Sequence, residues 1–270
     1  MANLLLHSLK EFDEIIFEII ERVAPREILE IGSETGLFSD RLLAHCEKAK
    51  SKLVTIDPEP NPRLVTVARN SEIFDLVIGL SIPYLEQHGT RAEVALIDGD
   101  HNYFTVRNEL ELIHASWQAN AVSGVMLLHD VGFPWGRRDC YYAPERIPEP
   151  ARHPHSFALG VTLGSKELIV GGFRSEGAYA CALREGGEKN GVLTAIQDFS
   201  KDHPEYRYRS VDAVFGLGAL THSGSAADAA VGDVYARYDN ALIRRLEQNR
   251  LELYLKVIEL QDLLKARGAA

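Results

Sequence analysis

The sequence predicts an α/β fold: a doubly wound, mostly parallel seven-stranded sheet with a lid inserted after the fifth strand and a helix toward the C-terminal end. Three observations carry this expectation. From residue 26 onward, short apolar runs alternate with helical segments, the pattern of parallel strands joined by crossover helices. Two of those runs end in clustered polar residues, as strands do when they deliver side chains to the crevice of an open sheet. With 270 residues, 46% hydrophobic and 25% charged, the chain is long enough to bury one large core.

The elements follow in order. Phe12, Ile15, Ile16, Ile19 and Ile20 recur at spacings of three and four, so an amphipathic helix opens the chain. REILEIG (26–32) reads as the first strand, followed by a helix near FSDRLLAHCEKA. KLVTID (52–57), FDLVIG (74–79), EVALIDGD (93–100) and SGVMLLHD (123–130) read as strands two to five, with helices near PRLVTVARN and YFTVRNELELIHASW. Residues 131–155 hold Pro134, Pro144, Pro148, Pro150 and Pro154 among aromatic and arginine side chains, and read as a lid, since long irregular loops in compact domains are commonly functional. FALGVTLG and KELIVGGF look like strands, GVLTAIQDFSKDHP like a helix, and YRSVDAVFGLGAL like one last strand bent by glycines.

A domain over residues 1–222 results, followed by a Gly/Ser/Ala linker at 221–233. Residues 233–266 form a C-terminal helix in which Leu242, Leu246, Leu253, Leu260 and Leu263 make a seam that includes Asn249 and is flanked by Val257. Either a short coiled coil joining two copies or a helix packed on its own domain satisfies that spacing. A homo-oligomer formed through this helix is the expectation.

Composition narrows the partners. Lys and Arg number 29 against 39 Asp and Glu, a net charge of −10 that disfavours generic binding to nucleic acid or an anionic membrane. The N-terminal leucines are interrupted by His7 and Lys10, and no stretch approaches a membrane span. Cys46, Cys140 and Cys181 are scattered and odd in number, which suggests neither a disulfide framework nor a zinc cluster and makes a reducing cytoplasm the simplest home.

The sharpest motif is Glu30-Ile31-Gly32-Ser33-Glu34-Thr35-Gly36, between the first strand and its helix. Glycines there let the backbone turn tightly and approach a nucleotide-like cofactor. Asp57, about twenty residues later at the next strand end, is placed to accept hydrogen bonds from ribose hydroxyls. The dinucleotide pattern needs glycine at 32, 34 and 37, where this chain has Glu34 and Leu37, so nicotinamide chemistry is disfavoured; Glu34 would tolerate a cationic sulfonium.

With ILEIGSETGLFS and VTIDPEP, residues 24–220 resemble the class I S-adenosyl-L-methionine (SAM) dependent methyltransferases. The resemblance implies a Rossmann-like sheet and SAM as cofactor. It places Glu30, Gly32, Ser33, Gly36, Phe38, Asp57, Ser81 and Asp98 around the cofactor.

Leu96-Ile97-Asp98-Gly99-Asp100-His101-Asn102-Tyr103 and Leu128-His129-Asp130 bring three carboxylates and two imidazoles to one sheet edge. Carboxylates that close need a cation or a proton to coexist, and a hard divalent ion on Asp98, Asp100 and Asp130 would supply it. IDGDHNY followed by HD resembles methyltransferase family twenty-four and the macrocin and mycinamicin type sugar O-methyltransferases, many of which use magnesium. That likeness implies Asp98 or Asp100 as ligand or base and Asp130 as ligand. Val131 follows the His129-Asp130 pair where the family pattern carries paired aspartates, so one carboxylate is missing.

The candidate catalytic residues are thus Asp98, His129 and Asp130, with His129 the base of a metal-free route. His101, Tyr103, Trp135, Arg137, Arg138 and Tyr141, with Tyr142 beside them, are the candidate acceptor contacts, aromatic faces and fixed cations being suited to a sugar. The expected activity is O-methylation of a sugar or polyhydroxylated small molecule. The alternatives are a catechol-like or phenolic acceptor, and a non-catalytic SAM-binding assembly module.

Overall fold

The computed structural model describes residues 6–268. Five strands run parallel: β1 (Glu27–Ile31), β2 (Lys52–Asp57), β3 (Phe74–Ile78), β4 (Val94–Ile97) and β5 (Val125–His129). β1 and β4 are buried along almost their whole length, because helices cover both faces of the sheet. A small sheet of β6 (Cys140–Tyr141), β7 (His155–Ser156) and β8 (Ala180–Ala182) lies inside the insertion after β5. β9 (Tyr206–Val211) and β10 (Leu217–His222) complete the main sheet in the order β3-β2-β1-β4-β5-β10-β9, the last two antiparallel to their neighbours.

Helices α1 (Asp13–Val23), α2 (Leu37–Ala49) and α3 (Pro62–Ala68) share one face of the sheet with α7 (Ala226–Tyr235). α4 (Ser81–His88), α5 (Tyr103–Asn120) and α6 (Val192–Asp202) cover the other. Local chemistry sets several ends: Asn61 and Asn102 accept backbone N–H groups as N-caps of α3 and α5. Trp117 is fully buried on α5, and its indole donates to the Ala92 carbonyl at 2.9 Å.

The doubly wound fold, the insertion and the long final helix match the expectation, with three local corrections. YRSVDAVFGLGAL is a hairpin of β9 and β10, not one bent strand, because Val214, Phe215 and Gly216 take positive φ angles of 43°, 68° and 93° and reverse the chain. FALGVTLG and KELIVGGF do not join the main sheet: they meet through isolated bridges Gly160–Ile169 and Val161–Phe173 within the insertion. The Gly/Ser/Ala stretch expected as a linker is mostly α7. Ser225 caps it by accepting from Asp228 N, and Ala227, Val231, Val234 and Tyr235 bury its apolar face.

The final helix, α8 (Ala241–Gly268), packs on its own domain through Leu251, Tyr254 and Ile258, which meet Phe215 and Phe173. Arg174 of the insertion holds Asp262 of α8 with two hydrogen bonds of 2.9 and 2.7 Å. The expected leucine seam faces away: Leu242, Leu246, Leu253, Leu260 and Leu263 are each at least half exposed.

The insertion is tied together by Arg138, which is wholly buried. Its guanidinium donates to the Ala182 carbonyl at 2.5 Å and the Lys166 carbonyl at 2.9 Å. Arg138→Met removes the donor to the Ala182 carbonyl and one of two donors to the Lys166 carbonyl, which keeps the Glu185 N–H at 2.8 Å, and is expected to cost about 1–3 kcal/mol in urea unfolding. Faster amide exchange should be confined to residues 139–190, and the amides of β1–β5 should be unaffected.

Candidate functional site

A cavity of about 730 Å³ opens between the C-terminal ends of β1–β5, the insertion and α8. Its first part is built around the glycine loop. Gly32 has φ +88°, and a Cβ there would lie 2.2 Å from the Asp98 carbonyl oxygen, so only glycine fits where the backbones leaving β1 and β4 meet. Asp57 is fixed by three donors: Ser33 gives its backbone N–H and its hydroxyl to Oδ2, each at 2.7 Å, and Glu59 N–H reaches Oδ1 at 2.8 Å.

Gly32, Asp57, Ser81 and Asp98 all line the cavity. The remaining residues expected around a cofactor stand behind it. Glu30 is buried and accepts from Thr55 at 2.7 Å, and burial pushes its carboxyl up to about 7. Ser33 holds Asp57, Gly36 makes the αL turn into α2, and Phe38 belongs to the core beneath.

Glu109, which sequence reasoning missed, also lines the cavity. Ser81 donates to its Oε1 at 2.5 Å, its Oε2 is buried without a partner among the described residues, and burial pushes the carboxyl up to about 8. Its position on the α5 face that carries Val106, Leu110 and Ile113 was the available signal: a charged residue on an apolar stripe.

The second part is a cluster of carboxylates and imidazoles. His101 Nε2 lies 3.2 Å from Asp98 Oδ1 and 3.0 Å from Asp130 Oδ2, bridging the two. His129 Nδ1 lies 3.2 Å from Asp98 Oδ1 and 3.6 Å from Asp130 Oδ2, while its Nε2–H donates to the Val214 carbonyl at 3.0 Å. Burial would lower the His129 pKa, but Asp130 and Asp98 outweigh it and lift it to about 9. His101 is raised by the same balance, burial opposed and overcome by Asp130 and Asp98. Asp98, despite burial, is held well below the usual carboxylate range by His129 and His101.

The structure therefore brings Asp98, His101, His129 and Asp130 together. Asp100 does not join them: its Oδ2 accepts from Thr105 at 3.1 Å and its Oδ1 is buried without a partner. The three-carboxylate set expected for magnesium, Asp98, Asp100 and Asp130, does not form, because a short turn aims Asp100 at the start of α5 while imidazole nitrogen occupies the space between the other two. One donor atom each from Asp98, His129 and Asp130 does lie within 4.8 Å of the others, a mixed oxygen and nitrogen set.

The third part is aromatic. Trp135 lies 5.5 Å from Tyr179 and 5.8 Å from Phe173, Tyr142 lies 5.9 Å from Tyr179, and Phe173 lies 5.4 Å from Tyr254, ring centre to ring centre; all five rings line the cavity. Of the expected acceptor contacts, His101 and Trp135 reach the cavity, as does Tyr142. The others are engaged elsewhere: Tyr103 donates to Asp198, Arg137 to Thr194, Arg138 to the carbonyls above, and Tyr141 to Asp139 at 2.7 Å. Arg146 is the arginine that lines the cavity. Phe173, Tyr179 and Tyr254 were missed because they reach the site only through the fold of the insertion and α8.

Residues 29–131, from β1 to the turn after β5, match the family Methyltransf_24, described as a methyltransferase domain. Fold and matched domain define the class: a SAM-dependent methyltransferase. No curated protein matches the sequence. The SAH-bound methyltransferase PaMTH1 of Podospora anserina is 15% identical, with 80% of this chain and 79% of that chain covered and a TM-score of 0.47. The O-methyltransferase TomG of Streptomyces achromogenes is also 15% identical, covering 78% and 80% with a TM-score of 0.40. Among the described residues, no helix is long and apolar enough to cross a membrane.

Two outcomes are expected. Gly32→Ala should abolish binding of the cofactor product S-adenosylhomocysteine in calorimetry, since the added Cβ forces β1 and β4 apart. Glu109 keeps a proton in the folded protein up to about 8 that the unfolded chain releases near 4.5, so stability falls as pH climbs through that window. Glu109→Gln should flatten that part of the decline in unfolding measured from pH 5 to 8.

Proposed function

We propose that the cavity transfers the methyl group of SAM to a hydroxyl of a small-molecule acceptor, with His101 as the general base. One observation carries this reading: His101 lines the cavity with its Nε2 engaged by Asp98 and Asp130, while its Nδ1 is buried and has no hydrogen-bond partner among the described residues. A base oriented by carboxylates on one nitrogen and left unengaged on the other is the arrangement proton abstraction needs. His129, the alternative base that the sequence offers for a metal-free route, has both ring nitrogens engaged and acts as a positioning residue that balances the charge of Asp98.

Gly32 and Asp57 would hold SAM, Asp57 being placed to accept from a ribose hydroxyl and Glu34 to balance the charge of the sulfonium. SAM would supply a methyl group activated by its sulfonium, with S-adenosylhomocysteine as the leaving group, and His101 takes the proton that the acceptor hydroxyl gives up as its oxygen gains the methyl group. Proximity and alignment supply much of the rate, because the sulfonium is already reactive. No step needs a metal on Asp98, Asp100 and Asp130.

The aromatic walls favour a flat phenolic ring as acceptor. A sugar is the second reading, supported by Arg146 and by the polar floor, which suit a ring stacking its apolar face while its hydroxyls meet the cluster. The outward leucines of α8, spaced by four, seven, seven and three from Leu242 to Leu263 around Asn249, suit pairing with the same helix of a second copy.

Calorimetry with S-adenosylhomocysteine and with NADH is expected to show binding of the first alone. Turnover on a panel of phenols and sugars should persist in chelator. His101→Gln should lower kcat by about 10²–10⁴-fold, with product affinity kept within a few fold; an unchanged kcat would remove His101 from the reaction. Product binding without turnover on any acceptor would favour the assembly module. Leu253→Glu should reduce the mass in sedimentation to that of a monomer.

A further inference from the structure

A second cluster of ligating side chains lies away from the cavity, where the C-terminal parts of α5 and α6 meet the start of β9. His114 of α5, His203 at the end of α6 and Glu205 just before β9 offer donor atoms that all lie within 4.8 Å of one another. The rings of His114 and His203 are 4.1 Å apart, centre to centre.

The hydrogen bonds around this group arrange the imidazoles as ligands. His203 Nε2–H donates to both oxygens of Glu111, at 3.1 and 3.0 Å, which fixes the ring and leaves Nδ1 toward Glu205. Nδ1 lies 3.7 Å from Glu205 Oε1, too far for a hydrogen bond, so a lone pair and a carboxylate face each other with nothing joining them. A carboxylate on the far nitrogen of an imidazole is the outer support that metal-binding histidines commonly have. His114 is held through Nδ1 by the Tyr206 hydroxyl at 3.2 Å.

We propose that His114, His203 and Glu205 form a binding site for a divalent transition metal of the zinc type, separate from the methyl-transfer cavity. Two imidazoles and one carboxylate suit zinc, cobalt, nickel or copper and disfavour magnesium or calcium, which take oxygen ligands. Ligand atoms around tetrahedral zinc sit roughly 3.4 Å apart, given bonds of about 2.0–2.1 Å. Small side-chain rotations from the present separations reach that spacing, with solvent in the remaining position. The ion would pin α5, α6 and β9 to one another.

The test is titration of the chelator-stripped full chain with zinc, followed by calorimetry, and with cobalt, followed by visible absorption. His203→Phe keeps the ring contacts and removes the nitrogens; Glu205→Gln changes an exposed side chain and spares the fold. In the wild type, zinc should raise the melting temperature and cobalt should give the intense visible bands of a tetrahedral ion. Each variant should weaken zinc at this site by at least tenfold and erase the cobalt bands, and Glu111→Gln should weaken zinc by about tenfold. Absence of wild-type binding, or binding and bands unchanged in His203→Phe and Glu205→Gln, would overturn the proposal; the second result would move the metal to Asp98, His129 and Asp130.

Discussion

The close approach of two backbones, at Gly32 beyond β1 and at Asp98 beyond β4, is the constraint on which the rest of the site depends. Parallel register sets Ile31 opposite both Ile56 and Ile97, and Ile97 opposite Leu128. Gly32, Asp57, Asp98 and His129 therefore leave the sheet at one level. Backbone hydrogen bonds from Gly32 to Ile56 and from Asp98 to Ile31, both 2.9 Å, extend that register one step past the strands. A side chain at position 32 would break the step, and Asp57 and Asp98 would no longer share a cavity.

The cluster above this edge solves an electrostatic difficulty. Asp130 is buried and Asp98 half-buried beside it, a placement that costs up to several kcal/mol per uncompensated charge. His101 and His129 compensate them locally, so the four groups behave as one balanced unit rather than as two ion pairs. Asp130 itself takes a left-handed φ of 58°, a strained backbone for a non-glycine residue.

Much of this was legible in the sequence, for reasons tied to periodicity. The five parallel strands are short apolar runs closed by turn residues, and β2 coincides with KLVTID residue for residue. Asp57, Asp98, His129 and Asp130 could be placed because strand ends are fixed by the runs before them. The insertion was legible only as an insertion. Arg137, Arg138 and Tyr141 look like acceptor contacts from their types, but which of a loop's side chains turn inward depends on pairings such as Cys140 with Cys181, which no local pattern encodes. α8 shows the same limit differently: its leucines and the set Leu251, Tyr254 and Ile258 both follow helical spacing, and only the neighbouring Phe173 and Phe215 decide which set is buried.

The contribution of α8 to the cavity bears on how the protein is made. Tyr254 lines the same cavity as Gly32. A ribosome emerging with the chain in order would release the glycine loop, the strand ends and the acid–imidazole cluster well before the last aromatic wall. A sheet formed before then would stand beside an open-sided apolar hollow, with Phe173 and Phe215 lacking the Tyr254 ring that they meet in the folded protein. Synthesis of the final helix is thus the event that closes the hollow, and a chain stalled short of residue 254 would present a sticky surface in place of a pocket.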